Sequence, residues 1–178
     1  MKKTRFFAIF LAAFALLLVI WNVANGARWY TDGVLLVAGT LGPLLHGWVL
    51  EVPPPGQGRP VWMHGENHVQ ASIQFDALAI GVVPLLALLA ATPEIRLATR
   101  VGRMLVGALI NFMISALIVA LFPLLVFYTN PFTDIIGTFL GLIAFVGAPA
   151  IIWFGLSFRE LQGLLPQLRP HASTGRAS

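Results

Sequence analysis

Five long apolar stretches with almost no embedded charge constrain this chain more than any motif. They run from Phe6 to Val23, Gly33 to Leu50, Phe75 to Thr92, Val101 to Tyr128 and Ile135 to Phe158. About 20 apolar residues cross the ~30 Å hydrocarbon core of a bilayer at 1.5 Å per residue, so each stretch is a candidate span. Only 10% of the residues are charged and mean hydropathy is +0.85. A soluble domain carries about 25% charge, and a chain with less than half of that cannot clothe a globular surface. The sequence therefore predicts an integral membrane protein, with residues 1–170 as one membrane domain and 171–178 as a disordered tail.

Charge placement predicts the topology. Lys2, Lys3 and Arg5 precede the first stretch, Arg96, Arg100 and Arg103 separate the third from the fourth, and Arg159, Arg169 and Arg176 follow the fifth. The positive-inside rule assigns all three clusters to the cytoplasm. With both termini inside, the number of crossings is even, so one candidate does not span. Residues 24–74 hold Asp32, Glu51 and Glu66 against Arg28 and Arg59, and read as external. Gly33–Leu50 is thus expected as an interfacial or re-entrant helix on the outer face, capped by Thr31 or Asp32. Its small face of Gly39, Gly42, Pro43, His46 and Gly47 opposes a leucine-rich one. The expected fold class is an all-α membrane bundle of four transmembrane helices (about 6–23, 75–92, 101–128 and 135–158), plus this external helix.

The first stretch has small residues at Ala24, Asn25 and Gly26, as a cleaved secretory signal would. Its apolar run is longer than a usual signal core, which favours an uncleaved anchor. Past Pro53, Pro54 and Pro55 the period changes to two: Val69, Ala71, Ile73 and Phe75 alternate with polar residues after the turn-forming Gly65, Glu66 and Asn67. A short external β-hairpin is expected there, resting on the helix, the lipid or a partner. After the last span, Phe158, Leu161, Leu164, Leu165 and Leu168 recur on one face, as in an inner-surface amphipathic segment.

The chain has no Cys, which removes thiol nucleophiles, disulfides and thiolate metal sites. No phosphate-cradling glycine motif is present, and the 11 basic residues form no aromatic-interleaved stripe, so nucleic acid is not an expected partner. His64, Glu66 and His68 are candidate ligands for Zn or Cu, with His46 on the same side of the membrane. Their H-x-E-x-H spacing lies on an extended turn, unlike the helical HExxH of zinc proteases. Asp76 is placed to cap a helix at the outer boundary. Asn111 and Ser115, four apart and near mid-membrane, are expected to bond across helices. Arg96, Arg100 and Arg103, at i, i+4 and i+7, suit the phosphates of membrane lipids at the inner interface. Pro84, Pro123, Pro149 and the glycines from Gly137 to Gly155 read as packing features.

The order of parts resembles the small exosortase-associated membrane proteins: a basic anchor, an external amphipathic helix, a Pro/Gly link, an extended segment, then ASIQFDALAIGVVPLLALLAATP entering a span. TRVGRMLVGALINFMISALIV is also similar to the Arg-rich entry and embedded Asn of exosortase and archaeosortase helices. Those enzymes are expected to use a Cys nucleophile, which this chain lacks. The resemblance therefore implies an accessory role in a bacterial inner membrane, helping to sort proteins that carry a C-terminal anchor signal. The residues support no reaction, and the expected function is a non-enzymatic accessory or assembly subunit with a membrane-protein partner. The alternatives are a metal-binding or metal-delivery protein using His64, Glu66 and His68, and a small oligomeric transporter or channel with Asp76 or Asn111 on a water path.

Overall fold

The computed structural model describes residues 2–53, 60–70, 79–92, 96–127 and 147–164. Along them run α1 (Lys2–Val23), α2 (Gly26–His46), β1 (Val49–Glu51), β2 (Val61–His64), β3 (Asn67–Gln70), α3 (Val82–Ala91), α4 (Leu97–Phe127) and α5 (Ala148–Leu164). The fold is mostly helical, with one small three-stranded sheet.

Among the described residues, two helices are long and apolar enough to cross a membrane, α1 over Thr4–Val23 and α4 over Leu97–Leu124. The other two expected spans are not matched by full-length helices among the described residues. α3 has 10 residues and the apolar part of α5 runs from Ala148 to Phe158, each short of the ~20 needed. Residues 71–78 and 128–146, over which those spans were expected to begin, lie outside the described residues. α5 continues past Phe158 to Leu164 without a break; the 171–178 tail is outside the description.

The external helix starts seven residues earlier than expected and ends four sooner. The corner that starts it is Asn25, at φ 51, a left-handed conformation Asn tolerates better than most residues. The next residue must be Gly, because a Cβ on Gly26 would lie 2.5 Å from the Trp21 ring. Neither Thr31 nor Asp32 caps the helix: Thr31 is buried in its second turn and Asp32 faces Arg28 one turn back, at 3.8 Å. At the other end Gly47, at φ 76, closes the helix with its N–H on the Pro43 carbonyl. Val49 and Leu50, read with the helix in the sequence, leave it to form β1 with Glu51.

Of the expected hairpin, β2 and β3 are observed, in a sheet ordered β1-β2-β3; its residues 71–75 lie outside the described residues. β1 pairs antiparallel with β2 (Leu50 opposite Trp62), and β2 with β3 (Trp62 opposite Val69). Gly65, at φ 60, is the first of the two loop residues between β2 and β3, the position that a type II′ turn reserves for Gly.

The sheet is held down by one side chain. Trp62 is fully buried and fills a notch over Gly42, where an added Cβ would lie 2.4 Å from the indole and 2.9 Å from the Trp48 carbonyl. Around it Val34, Leu35 and Ala38 of α2, Trp48 and Val69 of the sheet region, and Ala116, Val119 and Ala120 of α4 form one core cluster. A second joins Leu85 and Leu89 of α3 to Ala148 and Ile152 of α5. α4 packs Met104 and Ile114 against this second cluster, and its buried stripe is Gly107, Asn111, Ser115, Val119 and Pro123, every fourth residue. Its opposite stripe, Val101, Leu105, Leu109, Met113 and Leu117, is exposed and wholly apolar.

Candidate functional site

Three polar constellations lie along α4. The middle one joins α2 to α4. Asn111 Nδ2 donates to Tyr30 Oη at 2.9 Å, and Tyr30 Oη lies 3.0 Å from Ser115 Oγ. Since the phenol oxygen accepts from Asn111, its own proton is free to go to Ser115. Tyr30 also meets Phe112 edge-on, with ring centroids 5.6 Å apart. Burial raises the Tyr30 phenol above its ordinary 10.0, against the opposing effect of its bonds to Ser115 and Asn111. Asn111 and Ser115 thus bond to another helix, and the partner is a residue that no sequence signal marks, 81 positions before Asn111.

The second constellation lies at the Leu97 end of α4 and ties α3, α4 and α5 together. Thr92 Oγ1 donates to the Leu88 carbonyl at 2.9 Å and accepts from Trp153 Nε1 at 3.1 Å, with Ser157 Oγ at 3.4 Å. Arg100 Nη2 donates to the Thr92 carbonyl at 3.2 Å, so an arginine satisfies a carbonyl that the end of α3 leaves free. Arg103 Nη2 donates to Glu160 Oε1 at 2.7 Å, with both side chains about four-fifths buried. Phe6 of α1 packs beside Trp153, which brings the start of α1 to this same end. Of the three arginines expected on lipid phosphates, Arg96 is exposed, whereas Arg100 and Arg103 turn inward onto Thr92 and Glu160. Glu160 sits next to Arg159 in the chain, and nothing in the sequence marked it as the partner of a residue 57 positions away.

The third constellation is at the far end of α4. His46 Nε2 lies 2.7 Å from the Ala120 carbonyl, and the Trp48 N–H donates to His46 Nδ1 at 3.2 Å. Nδ1 accepts, so the ring proton is on Nε2 and goes to Ala120. Ala120 is three residues before Pro123, whose missing N–H interrupts the helix ladder at that turn. The imidazole therefore joins α2, the start of β1 and the proline turn of α4. His64 is stacked on Trp48, with ring centroids 5.4 Å apart.

The sheet register separates the expected metal ligands. His64 is opposite Asn67 and His68 is opposite Met63. Directly opposed residues share a face and neighbours along a strand alternate, so His64 and His68 point to opposite sides of the hairpin. Glu66 is in the turn between them. Among the described residues no three His, Cys, Asp or Glu side chains gather as a metal site. Asp76, expected as a cap or a path-lining carboxylate, lies outside the described residues. No family model, curated protein or solved structure matches the chain.

Proposed function

We propose that the chain is a non-enzymatic accessory or assembly subunit of a bacterial inner membrane, crossing it four times with both termini in the cytoplasm. In this reading α1 and α4 are complete crossings, while α3 and α5 are the inner parts of the other two. α2 and the sheet form a cap on the outer side.

The observation that carries the reading is how the side chains are used. The polar constellations along α4 pair with one another across helices, whereas the apolar window of α1 is not buried anywhere along its length. Such a molecule offers apolar helix surface rather than a reaction centre, which suits a subunit that works by helix contacts in a bilayer. The Arg-rich end supports the orientation, since Phe6, Thr92, Arg100, Arg103 and Glu160 converge there. Arg96, exposed beside them, is the lipid-phosphate contact of this reading. The partner we propose is an exosortase-type membrane enzyme that supplies the Cys this chain lacks.

The test is purification from the native membrane in mild detergent, followed by mass spectrometry of the complex. A stoichiometric, Cys-dependent sortase-like membrane enzyme is the expected companion. A chain that purifies alone or only with itself overturns the reading.

A further inference from the structure

α2 carries apolar residues on two opposite faces, and among the described residues only one of these faces has a protein partner. Thr31, Val34, Leu35, Ala38 and Gly42 are buried against α4 and the sheet. Trp29, Leu36 and Leu44 point the other way and are 75%, 71% and 81% exposed. At 100° per residue these three fall within an arc of about 80°, so they form one outward stripe about 22 Å long. A stripe of that length on a water-facing helix would be a costly exposure.

The depth of α2 along α4 indicates what covers it. Tyr30 meets α4 at Asn111 and Ser115, and His46 meets it at Ala120. About 24 Å of α2 therefore corresponds to only about 8–14 Å of α4, so α2 crosses α4 steeply instead of running alongside it. Counted from Arg103, those contacts lie about 12–18 Å and about 26 Å up a core that is ~30 Å thick. α1 places the same residue higher: Trp21 packs beside Tyr30, about 24 Å above Arg5. All of these levels are within the apolar window Leu97–Leu124 of α4. A surface at that depth and on the far side of α2 meets hydrocarbon. Arg28 and Asp32, the charged groups bordering the stripe, are set one helical turn apart at 3.8 Å, so each partly offsets the other's charge.

We propose that α2 lies obliquely in the outer leaflet with Trp29, Leu36 and Leu44 among the lipid acyl chains. This deepens the four-crossing reading and rests on it. α2 is then a float that fixes the height of the sheet at the membrane surface.

The native chain has no Cys, so single spin labels can be introduced into the full-length protein without background. Leu36→Cys, Leu44→Cys and, as a reference on the exposed stripe of α4, Leu109→Cys are labelled with a nitroxide. Each is reconstituted in vesicles of phosphatidylethanolamine and phosphatidylglycerol. Collision with oxygen, which partitions into lipid, is compared with collision with a water-soluble nickel chelate. The expected result is an oxygen-dominated label at Leu36 and Leu44, as at Leu109. Nickel-dominated labels at Leu36 and Leu44 beside an oxygen-dominated Leu109 overturn the proposal alone. Low collision with both reagents at Leu36 and Leu44 also overturns it, since a protein surface then covers the stripe. A nickel-dominated Leu109 overturns the membrane reading and the proposal together.

Discussion

Gly42→Ala tests whether the sheet is fastened by one steric fit. The added methyl would sit 2.4 Å from Trp62 Cζ3, 2.7 Å from Cη2 and 2.9 Å from the Trp48 carbonyl oxygen. Neither neighbour can yield easily. Trp62 is fully buried, opposed by Val69 across the strand and met edge-on by His46, with ring centroids 5.9 Å apart. The carbonyl is backbone. Overpacking of this kind costs about 1–3 kcal/mol. The usual gain of about 1 kcal/mol for Gly→Ala in a helix is not available here, because Pro43 follows and disfavours the helical region for any residue with a Cβ. Gly102→Ala is the matched control: it lies in α4 with nothing within 4 Å of the new methyl, and should be neutral or stabilising by up to about 1 kcal/mol. The two variants should thus differ by about 1–4 kcal/mol in reversible unfolding from mixed micelles, followed by tryptophan fluorescence. Gly42→Ala should also shift the native emission to the red as the Trp62 indole leaves its apolar site. Equal stability of Gly42→Ala and Gly102→Ala, with unchanged emission, would refute the steric argument.

Three further outcomes follow from the same geometry. In a double-mutant cycle, Tyr30→Phe and Asn111→Ala should couple by about 0.6 kcal/mol and not above about 1.7, the range for hydrogen bonds between membrane helices; zero coupling would mean that the bond contributes nothing to the α2–α4 joint. With Tyr128→Phe, Tyr30 is the one tyrosine left, and its phenolate absorbance should rise at a pH above the ordinary 10.0. Because the folded-state pKa is raised, its contribution to stability is complete below pH 10 and is lost as pH climbs through the raised value, so the unfolding midpoint should fall on that side alone. Glu66→Cys should react with an impermeant maleimide added outside spheroplasts, and Arg96→Cys only after lysis; labelling of both from one side would break the four-crossing topology.

How far the fold was legible depended on the range of each interaction. The apolar stretches and basic flanks marked α1 and α4, because length and charge are local properties. Asn111 and Ser115 were legible as helix-bonding residues, since an amide at that depth must find a partner, but only the fold brings Tyr30 to them. The start of α2 was misread because Thr31 and Asp32 have the chemistry of a cap, whereas the corner is made by Asn25 and the ring of Trp21 over Gly26. β1 was hidden in a continuous apolar run, although Gly47 directly after His46 is an ordinary stop signal for a helix. Parity decides where the expected metal ligands point. His64 and His68 are both even-numbered, and a two-residue loop pairs each even position with an odd one, so equal parity means opposite faces. Arg100 and Arg103 were read from helical spacing alone, which cannot show that α3 ends in a free carbonyl beside one and that Glu160 meets the other.

The joint between α2 and α4 also bears on the transport alternative. For Asn111 to line a water path its amide would have to face a lumen, yet the residue is 2% exposed and its Nδ2 is bonded to Tyr30. Opening that surface means lifting α2 from α4. That movement would break the Tyr30 bonds, pull His46 from the Ala120 carbonyl and drag the sheet with it, because Gly42 and Trp62 lock the sheet onto α2. Three separate contacts would be lost together. A unit built so is suited to staying closed. Among the described residues, the apolar surfaces left exposed are those of α1, the outward stripe of α4 and that of α2, and in the proposed reading α1 and α4 are where an accessory subunit would meet its partner.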